Sequence, residues 1–326
     1  MEKADEIIRA MNEAGGCRLP FVFGLDFEIS QGFFIPDPLG QKEVLFDIRG
    51  FSNHSHEGTT SVDMPFSYRF EKYPETEAEY GRRFSVIREG LQRGDSFLAN
   101  LTVKTPVSVD LSPEDIYRRS IALYKIYYPG AFICFSPERF VKIEGGIISS
   151  NPMKGTIDAR IPGAETKILN DYKERAEHYT IVDLIRNDLS RVAGNVRVER
   201  FRYMDRIETS EGPILEVSSE IKGNLPENWE SRTGDIIRKL LPAGSVSGAP
   251  KRATLDLIRK AESGPRGFYT GVFGYFDGRM LDSAVFIRFI DVEGKRYFYR
   301  SGGGITVNSN VKDEYEEVIK KVYLSF

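Results

Sequence analysis

Lys154 is the side chain whose setting first suggests chemistry. It lies in Ser150-Asn-Pro-Met-Lys-Gly-Thr156, where a proline and a glycine bracket a single amine. Pro152 fixes its own φ and pushes Asn151 towards extended backbone, so the chain turns there instead of continuing a helix. Gly155 allows a closer backbone approach than any residue with a Cβ. A neutral lysine amine is a nucleophile, but with an ordinary pKa near 10.4 only about one in a thousand is uncharged at neutral pH. Covalent use of Lys154 would need burial or a nearby cation to lower that value, each unit representing about 1.4 kcal/mol. Taken alone, the segment reads as a turn lysine in solvent, because lysines are rarely buried.

Two carboxylate pairs offer a second kind of chemistry. Glu174 and Glu177 are three apart in a helical pattern and share a face, and Glu314 and Glu317 repeat the spacing near the C-terminus, with Lys321 four residues further on. Two such helices could meet around a hard cation such as Mg²⁺, which takes oxygen ligands and keeps water; two solvated charged faces would have the same sequence. The loop Gly244-Ser-Val-Ser-Gly248 feeds a helix opened by Pro250. It fails as a Walker loop, which needs four residues between its glycines and a Lys directly after the second. What remains is a helix N-terminus suited to a carboxylate or a phosphate. The triglycine at 302–304 admits a ligand to the backbone or makes a tight turn. His54 and His56 form a His-x-His pair with no further ligand at a useful spacing, and read as a polar loop from Gly50 to Asp63.

The elements that must position these groups are mostly strands. Leu19–Ile29, Gly32–Pro36 and Val44–Ile48 read as strands, followed by a helix over Pro74–Arg93 with its stripe Tyr80, Phe84, Ile87 and Leu91. Strands over 97–103 and 104–109, a helix over Pro113–Tyr127, and strands over 131–135 and 139–143 lead into the Lys154 segment. A long helix is expected over Ala164–Val192. Strands follow at 196–203 and 214–221, helices at Thr233–Leu241 and Pro250–Glu262, then strands at 272–276, 280–292 and 296–300, and a final helix to Tyr323. With no sustained β-α-β alternation, the pattern favours α+β with large antiparallel sheets, and no linker divides residues 1–326.

Composition excludes several classes. The chain has 326 residues, 40% hydrophobic and 29% charged, with net charge −3 and both signs interspersed, so nothing marks it for nucleic acid or an anionic membrane. No run approaches the roughly 18 apolar residues of a membrane span, and the N-terminal segment lacks a signal core. Two distant cysteines, Cys17 and Cys134, suit a reducing compartment. The expectation is a cytoplasmic soluble protein.

Together the motifs resemble a family. Ser136-Pro-Glu-Arg-Phe140, Pro152-Met-Lys-Gly-Thr156, Arg175-Ala-Glu177 with Val182-Asp-Leu-Ile-Arg-Asn-Asp-Leu189, Gly244 to Lys251, and Gly302-Gly-Gly-Ile305 occur in the order seen in chorismate-utilising enzymes. The resemblance begins near Tyr80, leaving residues 1–75 as a variable part and 76–326 as the family core. It implies two large antiparallel sheets packed face to face, helices outside, with Mg²⁺ and chorismate between them. It implies Glu177 and Glu317 as Mg²⁺ ligands, with Glu174 and Glu314 acting through water. It places Tyr269, Arg288, Gly302 and Lys321 at the enolpyruvyl carboxylate of chorismate, Ser245 at the ring carboxylate, and Gly303 and Thr156 beside the substrate. Glu138 matches a general acid, expected to have a pKa raised by burial, and Lys154 matches the nucleophile of aminodeoxychorismate synthases, where anthranilate synthases carry alanine. Isochorismate and salicylate synthases use a lysine to activate water at a position that here is Leu98, which disfavours that branch.

The reaction implied is replacement of the chorismate hydroxyl by ammonia, on the route to 4-aminobenzoate and folate, with the ammonia delivered by a separate glutamine amidotransferase subunit. Anthranilate synthesis is the alternative, and a non-catalytic chorismate-binding regulatory subunit is a reading of another class. Two positions depart from the pattern: Leu98 stands where a glutamine is expected, and Glu216 aligns with a histidine.

Overall fold

Alternating apolar residues give strands, and these pair antiparallel throughout the residues described by this computed structural model, namely 1–54, 67–209, 212–324 and 326, with the side chains of 154, 173, 208, 209 and 249 left out. One sheet runs in the order Glu2–Lys3, Gln31–Pro36, Phe21–Leu25, Val272–Phe276, Met280–Val285, Arg139–Glu144, Ile147–Ser150, Gly212–Asn224 and Met153–Asp158, with Gly194–Thr209 also on Gly212–Asn224. The second runs Gly248–Ala249, Leu98–Val109, Arg296–Ile305, Phe289–Glu293, Phe132–Ser136, Tyr124–Tyr128, Leu45–Ile48 and Phe51–Ser52, with Phe70–Lys72 on Leu98–Val109.

The sheets pack face to face through a core drawn from both, including Val22, Phe273 and Ala284 from the first and Phe46, Ile126, Cys134 and Phe289 from the second. Phe273 and Phe286 meet at 4.6 Å between ring centroids, and Phe132 and Phe289 stack at 5.1 Å. Each such pair adds about 1 kcal/mol to the burial of its rings. Helices cover the outer faces: Ala4–Gly16, Tyr172–Ser190 and Thr233–Leu240 on the first sheet, Glu77–Gln92, Lys251–Ala261 and Val311–Lys320 on the second. The α+β architecture of two face-to-face antiparallel sheets is the one expected. No described helix is long and apolar enough to cross a membrane. Cys17 and Cys134 are both free.

Four local differences from the sequence reading bear on the site. The helix expected over Pro113–Tyr127 ends at Arg119, and Tyr124–Tyr128 is a strand between Leu45–Ile48 and Phe132–Ser136. Its β-branched and aromatic residues find two strand neighbours there, which outweighs the helical spacing. The long helix expected over Ala164–Val192 breaks at Asp171, which is extended and accepts a hydrogen bond from Glu174 N at 2.9 Å, so it caps a second helix. The strand expected over 280–292 is two: Met280–Val285 belongs to the first sheet and Phe289–Glu293 to the second. The chain changes sheets at Phe286–Arg288, with Arg288 at φ 51°. Lastly, the Lys154 segment is a strand interrupted by a bulge, its register on Gly212–Asn224 slipping between Met153 and Thr156.

Candidate active site

A cavity of about 190 Å³ opens where the sheet-crossing segment meets the turn at 244–248. Stretches from distant parts of the chain build its wall. Glu138 comes from the turn between two strands, where its N–H donates to Ser136 Oγ at 3.1 Å. Pro152 and Met153 come from the edge of the bulge, Ser245 to Gly248 from the turn, Tyr269 and Thr270 from the segment before Val272–Phe276, Arg288 from the crossing, and Ser301 to Gly304 from the second sheet. Glu317 and Lys321 enter from the last helix, which Asn310 caps by accepting from Lys312 N at 2.9 Å.

Of the expected site residues, the wall therefore holds Glu138, Ser245, Tyr269, Arg288, Gly302, Gly303, Glu317 and Lys321. Thr156 is exposed on the far side of the bulge and does not line the cavity. The side chain of Lys154 lies outside the described residues. His54, half of the rejected His-x-His pair, bonds Tyr117 Oη at 2.7 Å through Nε2, and His56 lies outside the described residues.

Cations and carboxylates alternate around the wall. Lys321 Nζ donates to Glu317 Oε1 at 2.7 Å and to the carbonyl of Gly302 at 2.9 Å. Arg288 Nη1 donates to Lys321 O at 3.2 Å, and Arg300 Nε donates to Asp291 Oδ2 at 2.6 Å. Thr270 and Arg288 both have positive φ, at 63° and 51°. For side chains with a Cβ, and above all a β-branched one, this is a strained conformation that packing must enforce. Two such residues therefore share one cavity wall. Tyr269 is fully buried, and its hydroxyl is held protonated by that burial. Asn100 Oδ1 and Ser301 Oγ, both buried in the wall, have no hydrogen-bond partner among the described residues, so each offers a polar contact to a ligand. Sequence reasoning passed over Asn100, Thr270, Arg300 and Ser301. Ser301 and Arg300 directly precede the triglycine, which was a usable signal; nothing near Asn100 was.

The four glutamates arrive as two pairs. Glu174 and Glu177 are half-buried on Tyr172–Ser190, whose Ile181, one turn beyond Glu177, lines the cavity. Glu314 is buried and accepts from Ser309 Oγ at 2.7 Å, while Glu317 is exposed to the cavity. Backbone comes close to both pairs. A Cβ on Gly155 would lie 3.1 Å from Glu174 Oε2, and one on Gly303 would lie 3.3 Å from Glu314 Oε2. No group of three or more His, Cys, Asp or Glu among the described residues is assembled to hold a metal ion.

The two departures from the family pattern have definite places. Leu98 lines the cavity with hydrocarbon. Glu216 pairs across strands with Thr156 on one side and Asp205 on the other. Burial first, then the charges of Asp205 and Glu138, push its carboxyl up to about 7.

The chain is similar to known proteins. Over 97% of this chain and 95% of its own length, an uncharacterized PabA-like protein of Haemophilus influenzae is 48% identical. Aminodeoxychorismate synthase component 1 of Bacillus subtilis is 32% identical over 77% of this chain, which spans 55% of that longer protein. The crystal structure of anthranilate synthase component I from Streptococcus pneumoniae superposes with a TM-score of 0.68 at 30% identity, over 78% of this chain and 59% of that one. Residues 51–325 match the family described as chorismate binding enzyme. The cavity at the sheet crossing thus sits in a chain that belongs to the chorismate-binding enzymes, in the class of the anthranilate and aminodeoxychorismate synthase component I proteins.

Proposed function

We propose that the protein is the chorismate-converting component of an aminodeoxychorismate synthase, using Lys154 as a covalent nucleophile. The observation that carries this reading is the convergence of Glu138, Ser245, Tyr269, Arg288, Gly302 and Lys321 on one cavity whose wall includes Pro152 and Met153, the two residues before Lys154. A substrate with two carboxylates suits a wall with Arg288, Arg300 and Lys321. Gly302 and Gly303 let such a substrate reach backbone.

The steps follow from the groups. The neutral amine of Lys154 attacks C2 of chorismate and the hydroxyl leaves C4 as water, taking its proton from Glu138. Ammonia then attacks C4, the bond from C2 to Lys154 breaks, and the product is 4-amino-4-deoxychorismate. The covalent intermediate divides one difficult displacement into two easier ones. Leu98 presents hydrocarbon where water activation would need a base, which supports amination over hydration.

Mg²⁺ fits the donor chemistry: Glu174, Glu177, Glu314 and Glu317 supply only carboxylate oxygen, and a cation that keeps water and takes oxygens from its substrate can use a pair from each helix. Bound there, it would supply charge neutralisation and a template for the ring carboxylate. The ammonia source in this reading is a glutamine amidotransferase partner; component 1 in the name of the Bacillus subtilis relative fits a two-component enzyme.

Mass spectrometry of the protein with chorismate and Mg²⁺, without ammonia, tests the reading. A covalent adduct on Lys154, absent in Lys154→Ala, is expected. Full ammonia-dependent turnover by Lys154→Ala would refute the covalent route. The likeness to anthranilate synthase supports a second product, and fluorescent anthranilate formed without any added lyase would select it.

A further inference from the structure

Arg266 is the largest fully buried side chain among the described residues, yet it does not itself face the cavity. Its guanidinium meets Glu262 twice, Nη2 to Oε1 at 2.7 Å and Nε to Oε2 at 2.9 Å. The remaining donors go elsewhere. Nη1 donates to the carbonyl of Val246 at 2.9 Å and to Thr270 Oγ1 at 3.4 Å, and Nη2 donates to the carbonyl of Asn100 at 2.7 Å. Val246, Thr270 and Asn100 all line the cavity, and they come from three different stretches: the 244–248 turn, the segment leading into the Val272–Phe276 strand and the Leu98–Val109 strand. Glu262 Oε1 ties the same strand a second time, accepting from Thr102 N at 2.9 Å and Thr102 Oγ1 at 3.0 Å. The ring of Phe27 lies 4.4 Å from the guanidinium carbon.

We propose that Arg266, held by Glu262, is a positioning residue that fixes these three wall segments of the cavity relative to one another. The inference rests on the reading that chorismate reacts in this cavity. Burying an ion pair costs several kcal/mol per charge before any attraction is regained, and well-packed apolar residues usually serve stability as well or better. A pair at this depth is therefore explained by what it orients. The planar fork is the essential property. Five N–H donors in fixed directions reach the carbonyls of Val246 and Asn100 while keeping both carboxylate bonds; a lysine ammonium, with its donors on one atom, cannot span them. Ser245 and Ser247 ride on the turn that Val246 anchors, and Tyr269 precedes Thr270, so a shift of this hub moves groups that face the substrate.

Arg266→Lys and Glu262→Gln, made in the full-length chain, test this in two ways. Hydrogen exchange read by mass spectrometry should accelerate in residues 243–249 and 98–102 while the first sheet exchanges as in the parent. Ammonium-dependent turnover of chorismate should show kcat reduced by up to about 100-fold, as for ångström-scale misplacement, with a smaller change in KM. Thr102→Val, which removes one bond to Glu262 and leaves the pair, gives the same signature in smaller measure if Arg266→Lys does not fold. Lower melting temperatures with local exchange, kcat and KM at parental values would overturn the proposal. The exchange measurement needs no substrate, so it still decides the matter if the parent protein fails to turn over chorismate, a result that would refute the functional reading instead.

Discussion

Replacing Glu216 by glutamine should stabilise the protein at pH 8 and leave it almost unchanged at pH 4.5. Glu216 is half-buried between Thr156 and Asp205, with its carboxyl raised from 4.5 to about 7 by burial and by the charges of Asp205 and Glu138. Below pH 4.5 the group is protonated in both the folded and unfolded chain, and its protonation contributes no difference. Between 4.5 and 7 the unfolded chain releases the proton while the folded chain retains it, so folding stability falls as pH rises through this window and stays lowered above it. The full shift corresponds to about 3.4 kcal/mol at 1.36 kcal/mol per unit. Solvent screening of a half-buried group reduces this to about 1–2 kcal/mol. With an unfolding entropy of about 2.1 cal/mol/K per residue, a chain of this length changes its melting temperature by about 1.5 °C per kcal/mol, so Glu216→Gln should melt about 2 °C higher at pH 8. Differential scanning calorimetry of both proteins at pH 4.5 and pH 8 is sufficient. A variant that melts at or below the parent at pH 8, or a difference that does not change with pH, would show that Glu216 is not held at a raised pKa by this environment.

Three further outcomes are expected. Glu177→Gln and Glu317→Gln should each raise the Mg²⁺ concentration needed for half-maximal turnover by about ten- to a hundred-fold, read by titration in saturating chorismate and ammonium; unaltered Mg²⁺ dependence in both would exclude these helices as the metal site. Lys251 is half-buried against the buried Asp188, Nζ to Oδ1 at 2.9 Å, and also donates to the carbonyl of Leu240 at 3.0 Å. Lys251→Met should destabilise the chain by about 2 kcal/mol at neutral pH, measured by urea unfolding, because it leaves the buried Asp188 carboxylate to Arg191, whose Nη1 lies 3.8 Å away, with Lys251→Met/Asp188→Leu recovering most of the loss. Gly155→Ala forces a Cβ to 3.1 Å from Glu174 Oε2 at a φ of 85°, and should cost about 1 kcal/mol of stability with a larger proportional loss of turnover.

Residue order carried the family. Five motifs in sequence, from Ser136 to Ile305, sufficed for the family and for the architecture of two antiparallel sheets, and they supply Glu138, Pro152, Met153, Ser245 to Gly248 and Gly302 to Gly304 of the cavity wall. The helix over Glu77–Gln92 was equally plain, with its Tyr80, Phe84, Ile87 and Leu91 stripe and a capping box in which Thr76 and Glu79 bond each other's backbone N–H. Local periodicity failed where partners came from far away. Tyr124–Tyr128 follows a helical start, and only the two strands flanking it in space make it a strand.

What tertiary structure alone decided is how the groups meet. The passage of one chain segment from sheet to sheet at Phe286–Arg288 creates the cavity and sets Arg288 into it; as a sequence, 280–292 reads as one strand. The hub at Arg266 was invisible for the same reason. Its partners at 100, 246, 262 and 270 run from the first third of the chain to its last quarter, and a buried guanidinium has no local signature until the segments that accept its hydrogen bonds are brought together.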